Sequence, residues 1–271
     1  MNHELRWGRF TSSKIASLMA EGTRPMTDAE MAEYKIKEPK GKRKNITGGF
    51  GAPALKYIKQ KKYERKLKRR IDSENTARPL QYGRCAETVA FQQLSTEYRL
   101  CSDQTIIHPQ YPFFAGSPDV EKFVINEKIL GEVKCPMTLE SFCDFVDYYE
   151  QGGIQAVRDN HPDGETYYWQ MVGNAILIGA NKAELIIYCP YQSELAQIRD
   201  EATFLGYQWI VFAHDDELPY LIKGNHYKNI NILPFDIPQD DIDALTANII
   251  KANELCTEYS FPITIHDSIK A

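Results

Sequence analysis

The chain has 271 residues and a hydrophobic fraction of 43%, enough for one large domain or two small ones around a sizeable core. No apolar run approaches the roughly 20 residues needed to cross a bilayer, and the opening MNHELRWGRF lacks the apolar stretch of a secretory signal, so no membrane role is expected and the cytoplasm is the expected compartment. The net charge of −5 conceals an asymmetry: residues 35–70 carry 15 Lys or Arg against Glu38 and Glu64, so this segment is +13 and the rest −18. A basic element on an acidic body steers a polyanion toward one surface; a solvated lysine-rich helix would show the same composition. Six cysteines, Cys85, Cys101, Cys135, Cys143, Cys189 and Cys256, contain no CxxC pair, which argues against a zinc site, an iron–sulfur cluster or a disulfide framework and for buried free thiols.

In chain order, Thr11, Ser12 and Ser13 are cap-type residues ahead of Ile15, Leu18 and Met19, so a helix is expected to begin close to Ser13. Residues 21–53 are rich in Gly, Pro, Lys and Thr and read as a long mobile excursion that becomes ordered on substrate. Ala54 to Ile71 has helix formers with an apolar stripe at Leu55, Ile58, Tyr63, Leu67 and Ile71, and its basic face is expected on a phosphate backbone. A helix from Leu80 to Tyr98 carries Glu87 beside the small residues Gly83, Ala86 and Ala90. An antiparallel meander follows: Ile106–His108, Phe113–Gly116, Val120–Ile125, a turn at Asn126–Lys128, then Ile129–Cys135 closed by Pro136. Leu139–Tyr149 and Tyr167–Ile178 read as helices, and Ala183–Cys189 as a buried strand. Residues 193–206 read as a helix, Trp209–Ala213 and Tyr220–Lys223 as strand pieces, and Asp240–Tyr259 as a closing helix.

The text richest in chemistry is Gly116-Ser117-Pro118-Asp119 followed by Gly131-Glu132-Val133-Lys134-Cys135-Pro136. Side chains alternate along a strand, so Glu132 and Lys134 share one face and Val133 takes the other. Two opposite charges inside an apolar strand cost free energy unless something pairs with them, and a divalent cation held by Glu132 and Asp119 would do so. Mg²⁺ takes oxygen ligands, here Asp119, Glu132 and the Val133 backbone carbonyl. It would polarise a phosphoryl oxygen and activate water, with Lys134 orienting that water and stabilising charge on the phosphate, while Glu87 could open a second metal site. Standing alone, the pattern also fits a turn Asp and a surface Glu/Lys pair.

The pattern resembles the PD-(D/E)xK nuclease superfamily, and further segments resemble its lambda-exonuclease branch, the YqaJ-type viral recombinase family. The matching segments run in that family's order: Arg6 with Phe10-Thr11-Ser12-Ser13-Lys14, Gln81-Tyr82-Gly83 with Glu87, Ala115 to Asp119, Glu132 to Pro136, and Tyr167-Tyr168-Trp169-Gln170. They cover residues 6 to 190; the basic excursion is longer than this branch would lead one to expect, and nothing matches beyond 190. The resemblance implies Mg²⁺ (or Mn²⁺) on Asp119 and Glu132, Lys134 as the catalytic lysine, Glu87 and Gln170 completing the site, and a 5′-phosphate pocket of Arg6, Ser13 and Ser117. A guanidinium, two hydroxyls and a helix N-terminus are also what a phosphate dianion needs.

The fold expected is α/β and restriction-endonuclease-like, a mixed central sheet flanked by helices. It would form one nuclease domain over 1–271, with the basic excursion and helix at about 21–71 and an unmatched region at about 191–271. The activity implied is 5′-to-3′ degradation of linear double-stranded DNA from 5′-phosphorylated ends to mononucleotides and a 3′ single strand, in phage-type recombination. The resemblance also implies a homotrimer and a single-strand annealing protein as partner. The competing readings are a structure-specific endonuclease of the same superfamily, a RecB/Cas4-like nuclease, disfavoured by Asn174 four residues after Gln170, and a non-catalytic DNA-end-binding module.

Overall fold

The computed structural model describes residues 5–33, 45–71 and 77–256. Strand β1 (Phe10–Thr11) leads into a 3₁₀ helix, Ser12–Leu18, whose Ile15 and Leu18 are fully buried. Strands β2 (Glu21–Pro25) and β3 (Asn45–Phe50) form an antiparallel ribbon, with helix α1 (Asp28–Glu33) after its first strand. Helix α2 (Ala52–Leu67) has Pro53 in its first turn and ends at Lys68 in the left-handed conformation; α3 (Arg78–Gln93) likewise begins on a proline. Short strands β4 (Arg99–Leu100), β5 (Ile106–Ile107) and β6 (Phe114–Gly116) precede β7 (Val120–Val124) and β8 (Glu127–Lys134). Helices α4 (Leu139–Asn160) and α5 (Gly164–Ile178) cross over to β9 (Lys182–Tyr188). Helices α6 (Leu195–Leu205) and α7 (Gln208–Val211), strand β10 (Ile230–Asp236) and helix α8 (Gln239–Glu254) complete the described chain.

The central sheet is mixed, in the order β10-β9-β8-β7-β4; β8 and β9 are parallel and the other neighbours antiparallel. Strand alternation divides its side chains between two apolar clusters. Leu130, Leu185 and Ile187 face a core shared with Met171 and Val172 of α5, Phe142 and Phe145 of α4, and Leu245 and Ile249 of α8. Val133, Ile186 and Tyr188 face the other way, against Tyr82 and Val89 of α3 and Leu195 and Ile198 of α6. Each large aliphatic side chain removed from water in these layers contributes roughly 1.5–3 kcal/mol. Helices therefore cover both faces, and α5 and α3 flank the strand that carries the charged pair.

Several expectations are corrected. The meander is divided: β5 and β6 pair with β1 in a small sheet, while β7 and β8 belong to the central one. The reversal between β7 and β8 occurs at Ile125 and Asn126, both at positive φ, one or two residues before the expected turn. The described parts of the 21–53 excursion are ordered as the β2–β3 ribbon and α1, because backbone pairing from Glu21↔Phe50 to Pro25↔Asn45 ties its ends together; residues 34–44 lie outside the described residues. On α2 the anticipated stripe is mostly exposed: of Leu55, Ile58, Tyr63, Leu67 and Ile71, only Ile58 is buried. The buried face is Ala54, Tyr57, Ile58, Lys61, Glu64 and Arg65, three of them charged, so part of the basic surface is spent on packing and is turned away from solvent.

Helix α3 stops at Gln93, ahead of the expected Tyr98, and Arg99–Leu100 pairs with β7 as an edge strand. Helix α4 runs to Asn160 across a break at Gly152 and Gly153, where Gly153 has φ of 65°. Trp209–Ala213 is not a strand: after Gly206 in the left-handed conformation the chain turns a short helix that buries Ile210 and bonds the Trp209 indole to Gln81. Tyr220–Lys223 forms only a single bridge, Leu221 to Tyr191. Strand β10 was not anticipated because Pro234 interrupts its pattern; an edge strand tolerates proline, which has no N–H to give to the ladder. All six cysteines are free, as expected.

Candidate active site

Beyond Gly131 the β7 side of β8 has no strand partner, since the β7–β8 ladder begins at Val120↔Gly131. The carboxylate of Asp119 takes that place: its Oδ2 accepts the Val133 N–H at 2.9 Å. An extended residue sends its N–H and C=O out along the same edge, so the Val133 carbonyl faces the Asp119 side too. On the opposite side of the β8 strand pair with β9, the parallel register fixes Glu132 beside Leu185 and Lys134 beside Ile187. Glu132 is thereby sunk to 1% exposure among apolar neighbours. Its oxygens are met by Lys134 Nζ, which donates to Oε1 at 2.8 Å, by Gln170 Nε2, also on Oε1, and by Asn174 Nδ2, which donates to Oε2 at 2.9 Å. The Lys134 ammonium lies 3.5 Å from Gln170 Oε1 and 4.9 Å from the centre of the Tyr167 ring.

Glu87 of α3 stands across the strand end. Burial pushes its carboxyl up to about 7; Lys134 opposes and Glu132 adds to the rise. Asp119 is raised well above the usual carboxylate range, by burial first and then by Glu132. Burial would lower Lys134, but the carboxylates of Glu132, Asp119 and Glu87 outweigh it and raise the ammonium above its ordinary value. Three carboxylates thus converge on one ammonium in a poorly hydrated place, an excess of negative charge that a cation would neutralise. The donor set of carboxylate oxygens, with the Val133 carbonyl at its edge, is of the hard-oxygen type that Mg²⁺ takes. Among the described residues no three His, Cys, Asp or Glu side chains are arranged about a common point as metal ligands. Glu132 is instead turned onto the amides and the lysine.

All of Arg6, Ser13, Ser117, Glu87, Asp119, Glu132, Lys134 and Gln170 line one cleft of about 960 Å³. Arg6 Nη2 donates to Ser13 Oγ at 3.3 Å, and Ser117 Oγ stands 3.3 Å from Thr105 Oγ1. The Arg6 guanidinium is lowered by burial, so it sits desolvated with its charge directed into the cleft. The helix at Ser13 is a 3₁₀ helix of seven residues that starts at Ser12, with Thr11 in the cap position and no side-chain cap bond. The groups expected to bind an anion at this end are therefore the Arg6 guanidinium and the Ser13 and Ser117 hydroxyls, with no α-helix N-terminus behind them.

Sequence reasoning missed Asn174, although it lies one helical turn beyond Gln170 on the same face of α5; that spacing was the available signal. It also missed the far wall, supplied by Ser141, Asp144 and His161 from α4 and the residue that ends it. His161 Nδ1 accepts the Asp163 N–H at 3.1 Å, so the proton of the neutral ring is on Nε2, which donates to Ser141 Oγ at 3.0 Å. Ser141 is thus an acceptor here, which is opposite to the arrangement that activates a serine nucleophile.

A mixed sheet with helices on both faces is the restriction-endonuclease-like fold, and Asp119, Glu132 and Lys134 stand together at one strand end of it. Solved structures sharing it include the alkaline exonuclease LHK-Exo from Laribacter hongkongensis, also determined in complex with dAMP, at a TM-score of 0.53 and 16% identity over 95% of this chain and 92% of that one. A phage-related exonuclease from Haemophilus somnus 129PT matches with a TM-score of 0.55 and 14% identity over 92% of this chain and 94% of its own. No family model and no curated protein matches the sequence. The folded chain therefore resembles the same kind of exonuclease that the ordered sequence segments resemble.

Proposed function

We propose that the protein is a Mg²⁺-dependent 5′-to-3′ exonuclease that degrades linear double-stranded DNA from 5′-phosphorylated ends, releasing mononucleotides and leaving a 3′ single strand. One observation carries the reading: Asp119, Glu132, Lys134 and Gln170 line the same cleft as Arg6, Ser13 and Ser117. Asp119, Glu132 and the Val133 carbonyl would hold the metal, with Glu87 placed for a second. When bound, Mg²⁺ supplies Lewis acidity to the phosphodiester and makes hydroxide available near neutral pH. Arg6, Ser13 and Ser117 bind the terminal phosphate and set the distance to the scissile bond. Lys134, kept charged by its carboxylate neighbours, stabilises charge on the phosphate and orients the attacking water, while Gln170 holds both Lys134 and Glu132 in place. The water oxygen bonds to phosphorus, the P–O3′ bond breaks and the 3′ oxygen takes up a proton. Mn²⁺ is expected to replace Mg²⁺. The resemblance extends the proposal to a homotrimer acting with a single-strand annealing protein.

The test compares Mg²⁺-dependent digestion of linear and closed-circular duplexes, with 5′-phosphate or 5′-hydroxyl ends, by wild type and Lys134→Ala. The expected result is digestion of linear phosphorylated DNA alone, lost in the variant. Cutting of circles would replace this reading with an endonuclease, and binding without turnover would replace it with an end-binding module.

A further inference from the structure

Glu132 is held on both oxygens, and the holder of Oε2 has no role in the proposal above. Asn174 is 1% exposed and gives its Nδ2 to Glu132 Oε2 at 2.9 Å. Turning the amide over would set Oδ1 against a carboxylate, so the pairing with Glu132 fixes which way it points. Its Oδ1 is consequently driven into the floor of the cleft, where it is buried without a hydrogen-bond partner. An unmet buried carbonyl costs roughly 1–3 kcal/mol, whereas an apolar side chain of the same size would cost nothing of the kind. Ser12 Oγ and, away from this spot, the Tyr82 hydroxyl are in the same condition, and Ser12 and Asn174 converge: a Cβ placed on Gly116 would lie 2.5 Å from Asn174 Oδ1 and 2.3 Å from Ser12 Oγ. Gly116 leaves the room that the Asn174 amide fills. Gly116 and Ser12 immediately precede Ser117 and Ser13, so the same few atoms join the phosphate end of the cleft to the carboxylate end.

We infer that Asn174 is a positioning residue that fixes the plane of the Glu132 carboxylate for the metal, and that residue 116 is glycine to admit it. This rests on the nuclease reading, since it assigns Glu132 to a metal. Gln170 and Asn174, four residues apart on α5, act as a two-armed clamp with one arm on each oxygen.

The experiment measures Mn²⁺ binding to the full-length protein by titration calorimetry, and the Mn²⁺ concentration for half-maximal cleavage, for wild type, Asn174→Ala, Asn174→Leu and Gly116→Ala. The leucine variant removes the unmet carbonyl while keeping the branching and the number of heavy atoms, so it keeps the test open should alanine unfold the site. Each variant is expected to bind Mn²⁺ about tenfold more weakly, to need about tenfold more of it for cleavage, and to regain activity when Mn²⁺ is in excess. KM for DNA is expected to stay within about twofold, a split that a merely structural role would not give. Folded variants with wild-type Mn²⁺ affinity would overturn the inference alone. A wild type that takes up no Mn²⁺ would overturn the metal-site reading and the inference with it.

Discussion

Two buried charged clusters in this protein differ in a way that separates architecture from chemistry. On α2, Glu64 is met by Lys61 at 2.9 Å, by the Gly8 N–H at 2.7 Å and by Gln60 at 3.3 Å, while Arg65 donates to the Gly8 carbonyl at 2.8 Å and lies 5.8 Å from the Phe10 ring centre. One carboxylate is surrounded by donors, and the helix is thereby pinned to the segment that leads into β1. In the cleft the ratio is reversed, with three carboxylates around one ammonium, and Glu87 and Asp119 are raised by burial first and by the neighbouring Glu132 as well. A charge cluster tied to the backbone of a distant segment is a clasp. One that gathers carboxylates along the wall of a cleft is poised for a cation from outside.

The largest expected effect would break the comparison at the cleft. Asp119→Asn should lower cleavage by on the order of a thousandfold, measured as release of acid-soluble nucleotides, and in metal-free buffer above neutral pH it should unfold at a higher temperature than wild type. An equal or lower unfolding temperature would mean that the cluster is already balanced. Next, Glu64→Ala should destabilise the fold by about 3–5 kcal/mol in chemical denaturation, because buried Lys61 loses the carboxylate at 2.9 Å and the Gly8 N–H loses its acceptor, while Mn²⁺ affinity is unchanged.

A smaller effect sharpens the contrast through pH. Glu87 is raised to about 7 from an ordinary 4.5, so its contribution to stability is full below pH 4.5 and is lost as pH rises through 7. Metal-free wild type should therefore lose on the order of 2 kcal/mol through Glu87 across that window, a figure reduced for the open side of the cleft, and Glu87→Gln should make the slope shallower, leaving the part that Asp119 contributes. Saturating Mg²⁺ should flatten it as well. The smallest effect belongs to Thr138, whose hydroxyl accepts the Ser141 N–H at 3.2 Å and caps α4. Thr138→Ala should cost about 1 kcal/mol, read as a shift of a few degrees in thermal unfolding.

The facing of Glu132, Val133 and Lys134 on β8 was legible because a period of two settles which side of the strand each takes. The order of the matching segments drew Arg6, Ser13, Ser117, Glu87 and Gln170 toward one place, and the cleft contains them all. Asn174 counted in the sequence only against a RecB/Cas4-like nuclease, because a polar residue on a helix carries no sign of a site role until its neighbours are known. Strand β10 was hidden by Pro234, which local propensity counts against a strand and an edge position permits. The buried face of α2 was misread because Lys61, Glu64 and Arg65 are charged, and only the carbonyl and amide of Gly8, more than fifty residues earlier in the chain, give them a reason to be inside.

The parallel pairing of β8 with β9 also bears on how the chain comes to be active. Those strands are joined through α4 and α5, so their ladder closes a loop of nearly fifty residues, and the segment that carries Arg6 into the cleft is held at Gly8 by Glu64 of α2. Contacts of such sequence separation form late, once the entropy of closing each loop has been overcome. An incomplete chain that ends before α5 would hold Arg6, Ser13, Ser117, Asp119, Glu132 and Lys134 but lack the Gln170 and Asn174 amides that grip Glu132. The carboxylate would take its fixed place only once α5 and β9 had joined the sheet.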